Sequence, residues 1–216
     1  RQLLHGVRYA EKTFGITPKT CWVPDVFGNG YAMPQILKKA GIENFVTSKI
    51  SWNETNKMPF DEFMWQGIDG TEIFTTFLTA QPYEGMDAAN YTLYVGDINP
   101  SMLKGAWNRF QQKEYSNRVL VTFGYGDGGG GPTKQMLEHY RRLEKGLPGM
   151  PVAEMEFMAP HLEKRKKLFI EGCEKNRVKG CVISQLRFAP DVQKAKRAIE
   201  DGLIGRIVFA DLTMKY

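Results

Sequence analysis

The chain has 216 residues, 42% of them apolar and 25% charged, with a formal net charge of +5; this is an ordinary globular composition with room for one sizeable core or two small ones. Lys and Arg are scattered except in "EKRKK" at 163–167, and no aromatics interleave with them, so nucleic acid is not an expected partner and the run reads as a solvated helix face. No apolar stretch is long enough to span a membrane, so none is expected as a partner, and three cysteines without a C-x-x-C pair exclude a disulfide framework and a cysteine zinc knot, which fits a reducing, cytoplasmic setting.

In chain order, residues 1–14 carry an amphipathic helical pattern that stops at Gly15, a C-cap signal. "KTCWVPDVFG" is a short apolar strand broken by Pro24, which leaves Asp25 just beyond its end. "AMPQILKKAG" predicts a helix with Pro34 in its first turn and Gly41 closing it. "ENFVTSKISW" predicts a second strand, and "FMWQGIDGTEIFTTFL" a hairpin turning at Asp69-Gly70. Residues 80–99 are irregular and 101–112 are expected to be helical. "NRVLVTFGYGDGGGGPTKQMLEHY" then runs from a strand through a glycine loop into a helix ending near Gly146. Alternating strands and helices argue for an α/β layer or barrel. Beyond Pro148, Pro151 and Pro160 a charged helix is expected over 162–176. A strand ("VKGCVISQLRF"), a helix ("PDVQKAKRAIEDG") and a final strand ("RIVFADLTMKY") follow, and the outer edge of their small sheet is expected to be open to self-association.

Chemistry in α/β sheets collects beyond the C-terminal ends of strands. Asp25 and Asp127 both sit there in the pattern, and a carboxylate pair is the equipment of glycoside hydrolysis, although acidic loop residues are common in any such fold. The rival is a literal G-x-G-x-x-G at Gly124, Gly126 and Gly129, with Glu154 near the place of a ribose-binding acid. Pyrophosphate needs backbone N–H groups unopposed by negative charge, and Asp127 would face it inside the turn.

"CWVPDVFGNGYAMPQILKKAGIENFVTSKISWN" followed by "VTFGYGDGGGGPT" resembles the catalytic domain of glycoside hydrolase family 38 α-mannosidases, over about residues 1–156. The resemblance implies a retaining, zinc-dependent enzyme that removes terminal α-linked mannose from oligosaccharides, built on a partial β/α-barrel-like domain. It implies that Asp25 is both nucleophile and zinc ligand, that Asp127 is the general acid/base, and that Lys49 positions the nucleophile. The family's zinc shell also takes a His-x-Asp and a further histidine, to which His5, His139 and His161 do not correspond; all three are expected on the surface. Asp25 is then the only ligand carried over, so this chain by itself is expected neither to retain zinc nor to turn over.

"KLFIEGCEKNRVKGCVISQLRFAPDVQKAKRAIEDGLIGRIVFADLTMKY" resembles instead part of the glucose–fructose oxidoreductase/inositol dehydrogenase family, through R-F-x-P-x-V-Q-x-A-K and I-x-x-G-x-I-G-x-I. That family binds NAD(P) through an N-terminal Rossmann domain and has a catalytic lysine in E-K-P, neither of which occurs here. The two resemblances together imply a partial mannosidase-like domain at 1–156, a junction at 157–166 and an oxidoreductase-like α+β segment at 167–216. The alternatives to a mannosidase are an oxidoreductase of that type and a catalytically silent chimeric fragment.

Overall fold

The computed structural model describes residues 1–53, 55–81, 91–126, 130–146, 149 and 158–175. Helix α1 (Gln2–Phe14) ends as its sequence demands: Gly15 adopts a left-handed φ of 68° and returns its N–H to the Glu11 carbonyl. Strand β1 (Thr20–Trp22) leads through helix α2 (Met33–Lys39) to strand β2 (Asn44–Thr47), and the two strands pair in parallel with Cys21 opposite Phe45. Strands β3 (Glu62–Gln66) and β4 (Glu72–Phe77) form the hairpin expected at Asp69-Gly70, Gly70 taking φ 82°. Asp69 closes this turn by accepting from the Thr71 N–H and hydroxyl at 3.1 and 2.8 Å and from Gln35 Nε2 at 2.7 Å. β4 lies parallel to β2, giving a mixed four-stranded sheet in the order β1-β2-β4-β3. Closure into a barrel is not among the described residues.

The sheet is covered on both faces, and the alternation of side chains along each strand decides which residue faces which layer. Phe45 and Ile73 join Cys21, Phe63, Trp65 and Leu37 of α2 in one cluster, against which Leu3 and Val7 of α1 pack. Their neighbours Val46 and Phe74 turn the other way and join Leu78, with Leu120 and Phe169 packed against them. Phe169 belongs to helix α5 (Met158–Lys175), and its ring centroid lies 6.1 Å from that of Phe74. A third cluster holds helix α4 (Lys134–Leu143) through Met136, Tyr140 and Leu143 around Ile98.

Helix α3 (Pro100–Arg109) starts on an Asn99 cap that accepts from the Met102 N–H, and Pro100 occupies its first position. It stops at Phe110, short of the predicted end; the Phe110 backbone is extended, and Gln112 beyond it serves the sheet. The Gln112 Oε1 accepts from the Asp61 and Glu62 N–H groups at 2.9 and 2.7 Å, and its Nε2 donates to the Glu62 carbonyl at 2.8 Å. One buried amide thus replaces a strand partner at the start of β3.

Three elements differ from the sequence reading. β2 ends at Thr47, and "KIS" is a 3-10 turn rather than strand. Residues 117–124 form no ladder among the described residues, and a parallel bridge pairs Gly96 with Phe123. Leu120 packs against the sheet and Phe123 against α4. α5 begins at Met158, so it runs unbroken through the segment expected to be a junction, Pro160 being tolerated in its first turn. The expected strands and helix after residue 176 lie outside the described residues.

Leu37 is fully buried in α2, whereas its neighbour Ile36 is 46% exposed. Leu37→Ala should cost about 2–5 kcal/mol in denaturant unfolding, and Ile36→Ala within about 0.5 kcal/mol. Equal losses would contradict this placement of α2.

Candidate active site

β1, β2 and β4 point the same way, so their C-terminal ends share one edge of the sheet. Asp25 follows β1 and Lys49 follows β2, and three bonds draw the two chain segments together beyond the ladder. The Val23 N–H donates to the Val46 carbonyl at 3.1 Å, the Thr47 hydroxyl donates to the Val23 carbonyl at 2.9 Å, and the Ser48 hydroxyl donates to the Pro24 carbonyl at 2.6 Å. The result is an ion pair, Lys49 Nζ to Asp25 Oδ1 at 3.2 Å, in which the lysine side chain is 10% exposed and the aspartate 54%.

The same ammonium stands 3.6 Å from the ring centroid of Trp52 and 5.4 Å from that of Phe27. Trp52 meets Phe27 edge-on with centroids 6.1 Å apart, and Tyr91 at 5.3 Å. Its indole Nε1 donates to the Thr92 carbonyl at 2.9 Å, and Thr92 is tied to the 3-10 turn through the Ser51 hydroxyl at 2.8 Å. A partly exposed carboxylate, braced by a largely buried cation that itself lies against aromatic rings, suits a nucleophile or base. Asp25 and Lys49 are brought together as expected. Phe27, Trp52 and Tyr91 were not foreseen. The available signal was the i, i+3 spacing of Lys49 and Trp52, which stacks side chains only if the segment is 3-10 rather than strand.

Asp127 lies outside the described residues, as do Gly129 and Glu154. The frame of the loop is defined. Tyr125 and Gly131 exchange two backbone hydrogen bonds, 2.9 and 2.8 Å, across its neck. A Cβ at Gly124 would come within 2.8 Å of the Gly131 and Pro132 backbone, and one at Gly126 would strike Val95. These glycines are therefore required by the chain's own packing. The following helix is already capped, the Thr133 hydroxyl accepting from the Met136 N–H at 3.1 Å. Among the described residues no strand ladder precedes the loop.

Zinc would need three or four donors. Among the described residues no three His, Cys, Asp or Glu side chains come together, and one Asp25 oxygen already faces an ammonium. His5 is exposed on α1, and the side chain of His161 lies outside the described residues. His139 departs from the surface expectation: it is half-buried on α4, and its Nδ1 is enclosed without a partner. The described donors do not make a zinc shell.

A cavity opens beside the ends of β2 and β4, lined by Ser51, Asp61, Thr79, Thr92, Arg109 and Gln111 among others, with a volume of about 30 Å³. Ligand pockets run to about 300–1,000 Å³, so it cannot take a sugar ring. Arg109 donates to the Thr79 carbonyl and to Gln81, both at 2.8 Å, and burial pulls its pKa down to about 10. Asp61 accepts from the Gln111 N–H at 2.7 Å, yet burial pushes its carboxyl above the ordinary range against the pull of Gln111, Lys57 and Lys113.

Residues 1–169 match the glycosyl hydrolases family 38 N-terminal domain. The chain is 37% identical over 160 residues to alpha-mannosidase G of Dictyostelium discoideum, a match covering 74% of this chain and 13% of the relative. It is 38% identical over 143 residues to an alpha-mannosidase of Saccharomyces cerevisiae, covering 66% and 12%. With human alpha-mannosidase 2C1 the identity is 35% over 165 residues, covering 76% and 15%. The matched stretch is thus a small part of each relative's length. The crystal structure of an alpha-mannosidase from Enterococcus faecalis V583 shares the fold, with a TM-score of 0.51 at 18% identity over 76% of this chain and 18% of that one.

The raised pKa of Asp61 has a definite sign in stability. Folded protein holds the proton to higher pH than the unfolded chain, whose carboxyl titrates near 3.8. Stability should therefore fall as pH rises from about that value through the folded pKa, then level off. Asp61→Asn should flatten this slope in pH-dependent urea unfolding; an unchanged slope would show that Asp61 does not cause it.

Proposed function

This chain belongs to glycosyl hydrolases family 38 through that family's N-terminal domain, and on that premise we propose that it serves a retaining, zinc-dependent α-mannosidase acting on mannose-containing oligosaccharides. One observation carries the proposal to particular residues: the 3.2 Å contact between Asp25 and Lys49 at the shared ends of β1 and β2.

In this reading one Asp25 oxygen attacks the anomeric carbon while Lys49 holds the other. Asp127 gives its proton to the departing glycosidic oxygen, and a mannosyl ester of Asp25 forms. Asp127 then takes a proton from water, which attacks the anomeric carbon, frees Asp25 and releases mannose with its configuration retained. The exposed ring of Phe27 would receive the apolar side of the sugar. Zinc in such an enzyme would grip ring hydroxyls and favour the distortion toward the transition state. Because the described donors offer it Asp25 alone, this chain by itself is not expected to turn over. The proposal extends to a β/α-barrel-like catalytic domain and a cytoplasmic setting, the latter supported by three cysteines without a C-x-x-C pair. For residues 167–216 it extends to an oxidoreductase-like α+β segment, supported by the pattern at 187–196.

A mechanism-based probe reports a single covalent event and needs no turnover. Incubation with 5-fluoro-α-mannosyl fluoride and zinc, followed by peptide mass spectrometry, should place a mannosyl adduct on Asp25, absent in Asp25→Asn. Labelling at another residue, or none, would overturn the assignment.

Zinc stoichiometry is a separate measurement. Chelator-washed protein should return well under one zinc per chain by elemental analysis, and a full equivalent would contradict the single-ligand account.

A further inference from the structure

We propose that Trp52 is a positioning residue, whose indole face holds the Lys49 ammonium in place against Asp25. The inference takes the role of Asp25 from the mannosidase reading above, whereas the geometry of Lys49 stands independently of it. Lysine is a point charge on a flexible stem with three rotatable donors. An ion pair with a carboxylate that is 54% exposed does little to hold it in place. Asp25 therefore cannot orient Lys49 by itself, and what fixes the ammonium must lie on its other side.

Trp52 is there, its ring centroid 3.6 Å from Nζ, well within the range of a cation–π contact. The ring is held along several directions. Its Nε1 donates to the Thr92 carbonyl at 2.9 Å, Tyr91 meets it at 5.3 Å, and Phe27 stands perpendicular at 6.1 Å. Thr92 is bonded to the turn that carries Lys49, its N–H donating to the Ser51 hydroxyl at 3.0 Å and the two hydroxyls pairing at 2.8 Å. Cation, indole and carboxylate thus form one braced row, Trp52–Lys49–Asp25. The simpler reading is a tryptophan packed on a lysine stem with no consequence for Asp25, and the two make different predictions.

The full chain, labelled with 13Cε-lysine, should show one lysine Hε resonance moved upfield by the indole ring current, assigned by its loss in Lys49→Arg. Trp52→Leu should return it to the position of the other lysines, and Trp52→Phe should keep part of the shift. In the same proteins the rate of adduct formation on Asp25 from 5-fluoro-α-mannosyl fluoride should fall by about 10-fold or more in Trp52→Leu, the scale of a displaced reacting group. Trp52→Phe should restore most of it. An unshifted Lys49 resonance in the unmodified protein would overturn the proposal, and so would a Trp52→Leu rate equal to the parent's. A shifted resonance with no adduct in the parent would support the clamp while sinking the mannosidase assignment of Asp25.

Discussion

The site depends on how two parallel strands are stitched beyond their ladder. β1 and β2 end before either functional side chain begins, and ordinary strand pairing does not reach Asp25 or Lys49. The Thr47 and Ser48 hydroxyls extend the pairing by donating to the carbonyls of Val23 and Pro24. Thr47 and Ser48 are both buried to within 1%, so these bonds form where water does not compete and where leaving either carbonyl unmet would be costly. Pro24 cannot donate a backbone hydrogen bond of its own, and it turns the chain so that Asp25 leaves the strand direction and meets Lys49.

That stitching is possible because the sheet beneath it is buried on both faces. Every residue of β2 is buried, with Phe45 committed to the α1–α2 side and Val46 to the side of α5. A one-residue slip would exchange these faces, and the penalty holds the register at Cys21–Phe45. Register in the interior thereby becomes position at the rim. The ion pair is correspondingly one-sided, the Lys49 side chain being 10% exposed and that of Asp25 54%.

The glycine loop obeys a different constraint. Gly124 and Gly126 sit where a side chain would collide with Pro132 or Val95, so their spacing records close packing of one loop on another. At these two positions of a phosphate-binding fingerprint, the steric demand of the chain's own packing accounts for the glycine. Nearby, Arg109 and Asp61 line a cavity too small for a sugar. Their perturbed protonation reflects desolvation at the edge of the core, where a shifted pKa marks burial more than function.

The sequence by itself determined the local elements whose signals are short-range. These include α1 with its Gly15 cap, α2 with Pro34 at its start, the Asp69-Gly70 hairpin, and the placement of Asp25 after a strand. Each rests on a backbone preference or a period that neighbouring residues specify. The motifs "CWVPDVFG" and "VTFGYGDGGGG" also pointed to the family that residues 1–169 match. Tertiary structure alone decided the rest. Residues 117–124 have strand composition, yet among the described residues they pack through Leu120 and Phe123 without a ladder. "KIS" has strand propensity, yet the Ser51 hydroxyl bonded back to the Ser48 carbonyl at 2.8 Å curls it into a 3-10 turn. That turn puts Trp52 over Lys49, and no sequence period could have announced it, because the contact needs Thr92, some forty residues away, to hold the indole in place.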